Sequence, residues 1–201
     1  MSVIDPGVCQ SAASEAASPK SCAAAFNAKD YQRSAPVCKE AAEHGDATSQ
    51  NYLAKLYKDG TGIAKDVSKA RYWWIKSSAQ NNIDAEIEIA VIYAVGDGVQ
   101  KDLAEAARWC MKAANQGSHH AQKWLGNMYS VGQGVEKDTT IAAMWLRKAA
   151  DQGDAEAMDN LALLYEKGDG VPQDYGEAAK LRERVIAHLP LAGWVLSDTM
   201  G

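Results

Sequence analysis

Four tyrosines, Tyr57, Tyr93, Tyr129 and Tyr165, stand 36 residues apart, and the same columns follow each of them. The glycine pairs are Gly60/Gly62, Gly96/Gly98, Gly132/Gly134 and Gly168/Gly170; the aspartates are Asp66, Asp102, Asp138 and Asp174. Next come Ala70, Ala106, Ala142 and Ala178, each followed three residues later by Trp73, Trp109, Trp145 or Leu181. A fixed period of this size marks a stacked array, because a unit too small to bury its own apolar face must bury it against the next.

The fourth unit shows what each unit is made of. Ala157, Leu161, Leu164 and Tyr165 fall at i, i+4, i+7 and i+8, one face of a helix and not the alternation of a strand. That helix, A, is predicted to end near Lys167, where Gly168 and Gly170 permit the left-handed conformation and a tight reversal. Val171 tucks under the hairpin, Pro172 stops helix A, and Asp174 caps helix B, with Glu177 predicted to complete a capping box as Glu105 does with Asp102. Helix B buries Ala178, Leu181 and Val185, as Ala142, Trp145 and Ala149 do one unit earlier. Trp73, Trp109 and Trp145 are thus expected in the core column, with Trp74, Trp124 and Trp194 outside it. The expected fold is all-α, an α-solenoid of helix-turn-helix repeats.

Subtracting one period from the repeat aspartates gives Asp30, and Val37, Ala41, Ala42 and Gly45 fall under Trp73, Ser77, Ser78 and Asn81, so a degenerate unit precedes the clear ones. Cys22 lies eight residues before Asp30 and Cys38 eight after it, at matching heights on two antiparallel helices. They form either a disulfide, which places the chain in an oxidising compartment such as a bacterial periplasm, or two buried free thiols. The expected organisation is an N-terminal extension over 1–19, the degenerate repeat over 20–46, four repeats over 47–188 and a C-terminal cap over 189–201 containing Trp194. The opening Met1-Ser2-Val3-Ile4-Asp5 reads equally as a native start or as a start placed after a removed signal peptide.

A formal charge of −5 with both signs interspersed offers no basic face to nucleic acid or anionic lipid. No apolar run approaches the roughly 18–20 residues that span a bilayer, so membrane insertion is not expected. The cysteines show no Cys-x-x-Cys pair and no histidine at ligand spacing, which argues against zinc. The glycine pairs lie between helices and lack the lysine of a phosphate-binding loop, and the aspartates stand singly where caps are needed. His119-His120 is read as part of a solvated turn between repeats, since neighbouring side chains there point apart and no carboxylate cluster is foreseen beside them. Cys110 follows Trp109 just off the apolar stripe, a partly buried thiol without a base to activate it. No cofactor, metal or catalytic residue is expected.

The run Leu161-Ala162-x-x-Tyr165-x-x-Gly168-x-Gly170-Val171-x-x-Asp174, with Ala143-x-Trp145-x-x-Lys148-Ala149-Ala150-x-Gln152-Gly153 before it, resembles the Sel1-like repeat, a relative of the tetratricopeptide repeat. The first unit departs from that pattern, with Ser77-Ser78 for Ala-Ala and Asn81 for Gly, which leaves its helix-end geometry open. The resemblance implies a right-handed solenoid, protein recognition and no catalytic residue. It also implies that the A helices line the concave, partner-binding face. Their positions off the apolar stripe are Asn51 and Lys55, Ile87 and Val91, Lys123 and Asn127, Asp159 and Leu163, with the off-register Trp124 either a partner anchor or a cover for an edge between repeats. Ile87 and Val91 either form the apolar middle of that groove or, with the register one residue off, pack inside. Within the family, small acidic periplasmic members resemble immunity proteins that neutralise secreted bacterial toxins, including those of type VI secretion. A cell-envelope adaptor, or a β-lactam-binding or β-lactam-hydrolysing protein, is the alternative; the absence of Ser-x-x-Lys speaks against the last.

Overall fold

The computed structural model describes residues 18–188, which contain ten α-helices and, among the described residues, no strand. In chain order they are α1 Pro19–Asn27, α2 Tyr31–Glu43, α3 Ala47–Asp59, α4 Val67–Ser78, α5 Ile83–Val95, α6 Leu103–Asn115, α7 His119–Val131, α8 Thr139–Asp151, α9 Ala155–Lys167 and α10 Tyr175–His188. They form two compact units, one running to Trp109 and the other starting at Cys110 within α6. The extension before residue 18 and the expected cap with Trp194 lie outside the described residues.

Each hairpin closes with one device. The first glycine takes the left-handed C-cap position, as Gly60 does at φ 72°, and its amide returns to the carbonyl of Leu56. The second glycine is required by proximity: at Gly98 a Cβ would lie 2.8 Å from Cγ1 of Val67, at the start of the preceding B helix. Each repeat aspartate then caps helix B, Asp66 through the amide of Lys69 and Asp138 through that of Ile141. The full capping boxes expected at Asp102 and Asp174 do not form. The backbone N–H that Glu105 and Glu177 would need donates instead across the hairpin to the carbonyl of Tyr93 or Tyr165, at 2.9 and 3.0 Å. The freed carboxylates serve elsewhere: Glu105 accepts from the Trp109 indole, and Glu177 pairs with Arg147.

Between repeats, a second column of caps, Asp46, Asn82, Ser118 and Asp154, starts each A helix. Asn81 at φ 61° does the work of the glycines one period away, so the departure in the first repeat keeps the same helix end. Ser77 is fully buried because its hydroxyl donates to the carbonyl of Ala47 at 2.6 Å.

The N-terminal unit packs Leu53, Leu56, Trp74, Ile89 and Ile92 around Cys22 and Cys38, which are joined as a disulfide with Cα atoms 4.7 Å apart. The second unit packs Leu146, Met158, Leu161 and Leu181 against a lining of alanines. In the first repeat Trp74, and not the expected Trp73, fills the core, while Trp145 is buried as expected. Trp74 is fully buried, whereas Trp73 and Trp109 pack at the edge of the core. On α4 the buried set is Ala70, Trp74, Ser77 and Ser78, so the stripe turns through i+4 where the fourth unit turns through i+3 to Leu181.

Candidate partner-binding surface

Side chains at the expected partner positions follow from how consecutive A helices lie together. In the N-terminal unit, α3 and α5 are bridged by Lys55 and Lys58, whose ammonium groups stand 3.9 and 3.0 Å from the Glu88 carboxylate. Asn51 is buried; its side-chain oxygen accepts the indole N–H of Trp74 at 2.8 Å, which places it inside the repeat, where a partner does not reach it. Ile87 and Val91 are half-buried, beside the buried stripe of Ala85, Ile89, Ala90 and Ile92.

In the second unit a groove of about 490 Å³ runs between α7 and α9. Asn127 and Leu163 line it, together with Val131, Asn160, Lys137 and Lys167. Asn160 donates to the side-chain oxygen of Asn127 at 2.9 Å. That bond leaves the Asn127 amide nitrogen able to donate and the Asn160 oxygen able to accept. Leu163 is 41% exposed and Val131 68%, large apolar groups facing solvent where the core does not use them. Trp124 and Asp159 are half-buried and do not line this groove.

Val131, Asn160, Lys137 and Lys167 were not anticipated. Val131 carried a legible signal, because it and Val95, 64% exposed, are apolar residues immediately before a C-cap glycine, off the helical stripe. Asn160 carried none, since its contact with Asn127 spans 33 residues.

At the N-terminus of α7 the histidine side chains are solvent-exposed as expected, 41% and 69%, but a carboxylate that the sequence did not show faces them. His119 Nδ1 lies 3.2 Å and His120 Nδ1 4.0 Å from Oδ2 of Asp154, the cap of the next A helix, and the two ring centres lie 3.9 Å apart with planes tilted by 37°. Lys123 reaches the same oxygen at 3.7 Å and Glu156 at 2.6 Å. Burial opposes charge on Asp154, yet the Ala157 amide, His119 and Lys123 together hold its carboxyl below the usual range. Burial likewise opposes charge on Lys123, and Glu156 and Asp154 outweigh it, raising the ammonium. Cys110, expected to be partly buried, is wholly so; desolvation pushes its thiol up to about 12, and its Sγ donates to the carbonyl of Ala121 at 3.2 Å. A protonated thiol is not a nucleophile.

The Sel1 repeat model matches residues 47–82, 83–118, 119–154 and 155–182, four consecutive copies whose borders fall on the second cap column. The chain belongs to the Sel1 repeat family. Among solved structures it is similar to a protective antigen of uropathogenic Escherichia coli, 34% identical with a TM-score of 0.76, covering 78% of this chain and 34% of that one. It is also similar to a Sel1 repeat protein of Oxalobacter formigenes, 32% identical with a TM-score of 0.72, covering 80% and 46%. A more distant likeness is the immunity protein Pa5087 of Pseudomonas aeruginosa, 19% identical with a TM-score of 0.42 over 93% of this chain and 82% of that one. The chain therefore spans about a third to under half the length of the first two. No curated protein matches the sequence.

Proposed function

We propose that this chain is a protein-interaction module that acts by occupancy, holding an extended segment of a partner protein in the groove between α7 and α9. The observation that carries this is the pairing of solvent-facing Leu163 and Val131 with the Asn127–Asn160 amides in one groove. The apolar groups gain from leaving water, and the amides match the donors and acceptors of an extended backbone. Lys137 and Lys167 outnumber Asp169, the one carboxylate lining the groove, and favour an acidic segment. Lys55, Ile87, Val91, Lys123, Trp124 and Asp159 are then supporting or separate surface positions.

The Cys22–Cys38 disulfide suits a partner met outside the cytoplasm, in an oxidising compartment. No helix among the described residues is long and apolar enough to cross a membrane. The narrower role, an immunity protein that neutralises a secreted toxin, rests on the family resemblance.

Affinity capture from the source cell, with Leu163→Arg as the paired bait, tests the occupancy role. An exposed leucine tolerates the charge, so helical circular dichroism and melting stay as in the wild type while the stoichiometric partner is lost. Equal capture by both baits removes the groove from the proposal, and multiple turnover of any substrate by the clean chain removes occupancy itself. The immunity role requires that the purified chain block one secreted toxin at a one-to-one ratio.

A further inference from the structure

The repeat places the first two residues of one A helix beside the cap of the next. In the second unit those positions hold His119 and His120, facing Asp154. One period earlier the first of them is Ile83, and one period later it is Ala155. Consecutive residues on a helix normally point apart. Here the ring centres lie 3.9 Å apart with their planes tilted by 37°, and both Nδ1 atoms lie within 4.0 Å of one oxygen of a carboxylate that is almost wholly buried.

We propose that His119 Nδ1, His120 Nδ1 and Asp154 Oδ2 form a binding site for a borderline divalent transition-metal ion, with zinc as the reference occupant. The metric fits. Bonds of about 2.0–2.1 Å at tetrahedral angles set ligand atoms about 3.4 Å apart. The two nitrogens stand 3.2 and 4.0 Å from the oxygen, and all three ligand atoms lie within 4.8 Å of one another, so small rotations of two exposed imidazoles close the set. Two imidazoles and one carboxylate select zinc, copper(II) or nickel over calcium or magnesium, which take oxygen ligands. Three protein ligands leave the remaining position to water.

Lys123 is the competitor. Its ammonium stands 3.7 Å from the same oxygen, but its shorter contact is to Glu156 at 2.6 Å, so a metal ion displaces it towards a partner it already holds. Once bound, the ion staples the start of α7 to the cap of α9 and stiffens two successive repeats. This site is separate from the α7–α9 groove, and its test needs no protein partner.

Isothermal titration of the native, disulfide-intact chain with zinc chloride is expected to give one ion per chain, with a higher melting temperature in its presence. His119→Ala and His120→Ala are each expected to weaken binding by at least the roughly 10–100-fold that loss of an outer-shell partner costs. Asp154→Asn keeps a good helix cap while removing the anionic ligand, and weakens zinc similarly. Lys123→Gln removes the competing charge and tightens it. The proposal is overturned if the wild type takes up no zinc at one-to-one stoichiometry, or if both histidine variants bind as it does. The histidines are exposed, so those two variants decide the matter even if Asp154→Asn fails to fold.

Discussion

At the scale of single residues, Cys110 shows how the array converts an ordinary side chain into an inert one. It occupies the helix position that Trp74 fills one period earlier, and burial, partly offset by the Leu125 backbone, moves its thiol from 9.0 to about 12. The folded state therefore holds its proton more tightly than the unfolded chain. The stabilisation is complete below pH 9.0 and is lost as pH rises from there towards 12. Denaturant titrations of the wild type should show a steeper alkaline fall in stability than Cys110→Ala, and a thiol reagent at pH 8, read by peptide mapping so that Cys9 is told apart, should label Cys110 only at the rate of unfolding. Rapid labelling of Cys110 in the native protein would contradict the burial. The glutamines follow the same logic at neutral cost: Gln50 and Gln122 donate to the carbonyls of Ala42 and Ala114 and accept from Gln80 and Gln152, which satisfies helix-end carbonyls at each junction.

At the scale of elements, the spacing of paired helices is set by small residues, and one position shows how tightly. Gly126 lies inside α7, where the other repeats carry Ala54, Ala90 and Ala162. A Cβ there would sit 2.7 Å from Cγ of Leu146, which is itself buried on α8. Gly126→Ala gains about 1 kcal/mol of helix propensity. Overpacking against a branched core side chain costs about 1–3 kcal/mol. The expected outcome is a net loss of about 1 kcal/mol by chemical denaturation, absent when the same change is made in a Leu146→Ala background, whose side chain lacks the Cγ that the new Cβ meets. A stabilised single variant would show that α7 and α8 separate freely. The A–B hairpin was legible from the period, because glycine, aspartate and tyrosine recur for one reason each. The incomplete capping boxes were not, because the carbonyl that takes the cap amide belongs to a tyrosine nine residues earlier, at Tyr93 for Asp102.

At the scale of the whole molecule, stability accumulates unit by unit, and the disulfide acts on the first of them. Cys22 and Cys38 are 16 residues apart in sequence, a loop for which chain entropy predicts about 3 kcal/mol of stabilisation. Hydrogen exchange after reduction should show faster opening of α1 and α2, while amides of α8 and α9 keep their protection. Uniform loss of protection throughout would mean that the array unfolds as one cooperative block and not in nearest-neighbour steps.

The 36-residue period determined the helix count of each unit, its turns, its caps and its apolar columns, since those depend on contacts within one repeat or at a constant offset. What depends on the direction of a side chain, within a repeat or between repeats, was decided only by the fold. Trp73 and Trp74 are equivalent in composition, and the turn of α4 chose which was buried. Asn51 looked like a free surface group until the indole of Trp74 claimed it. His119 and His120 looked unpartnered because the carboxylate they face lies some 35 residues away, a distance over which sequence carries spacing but not direction.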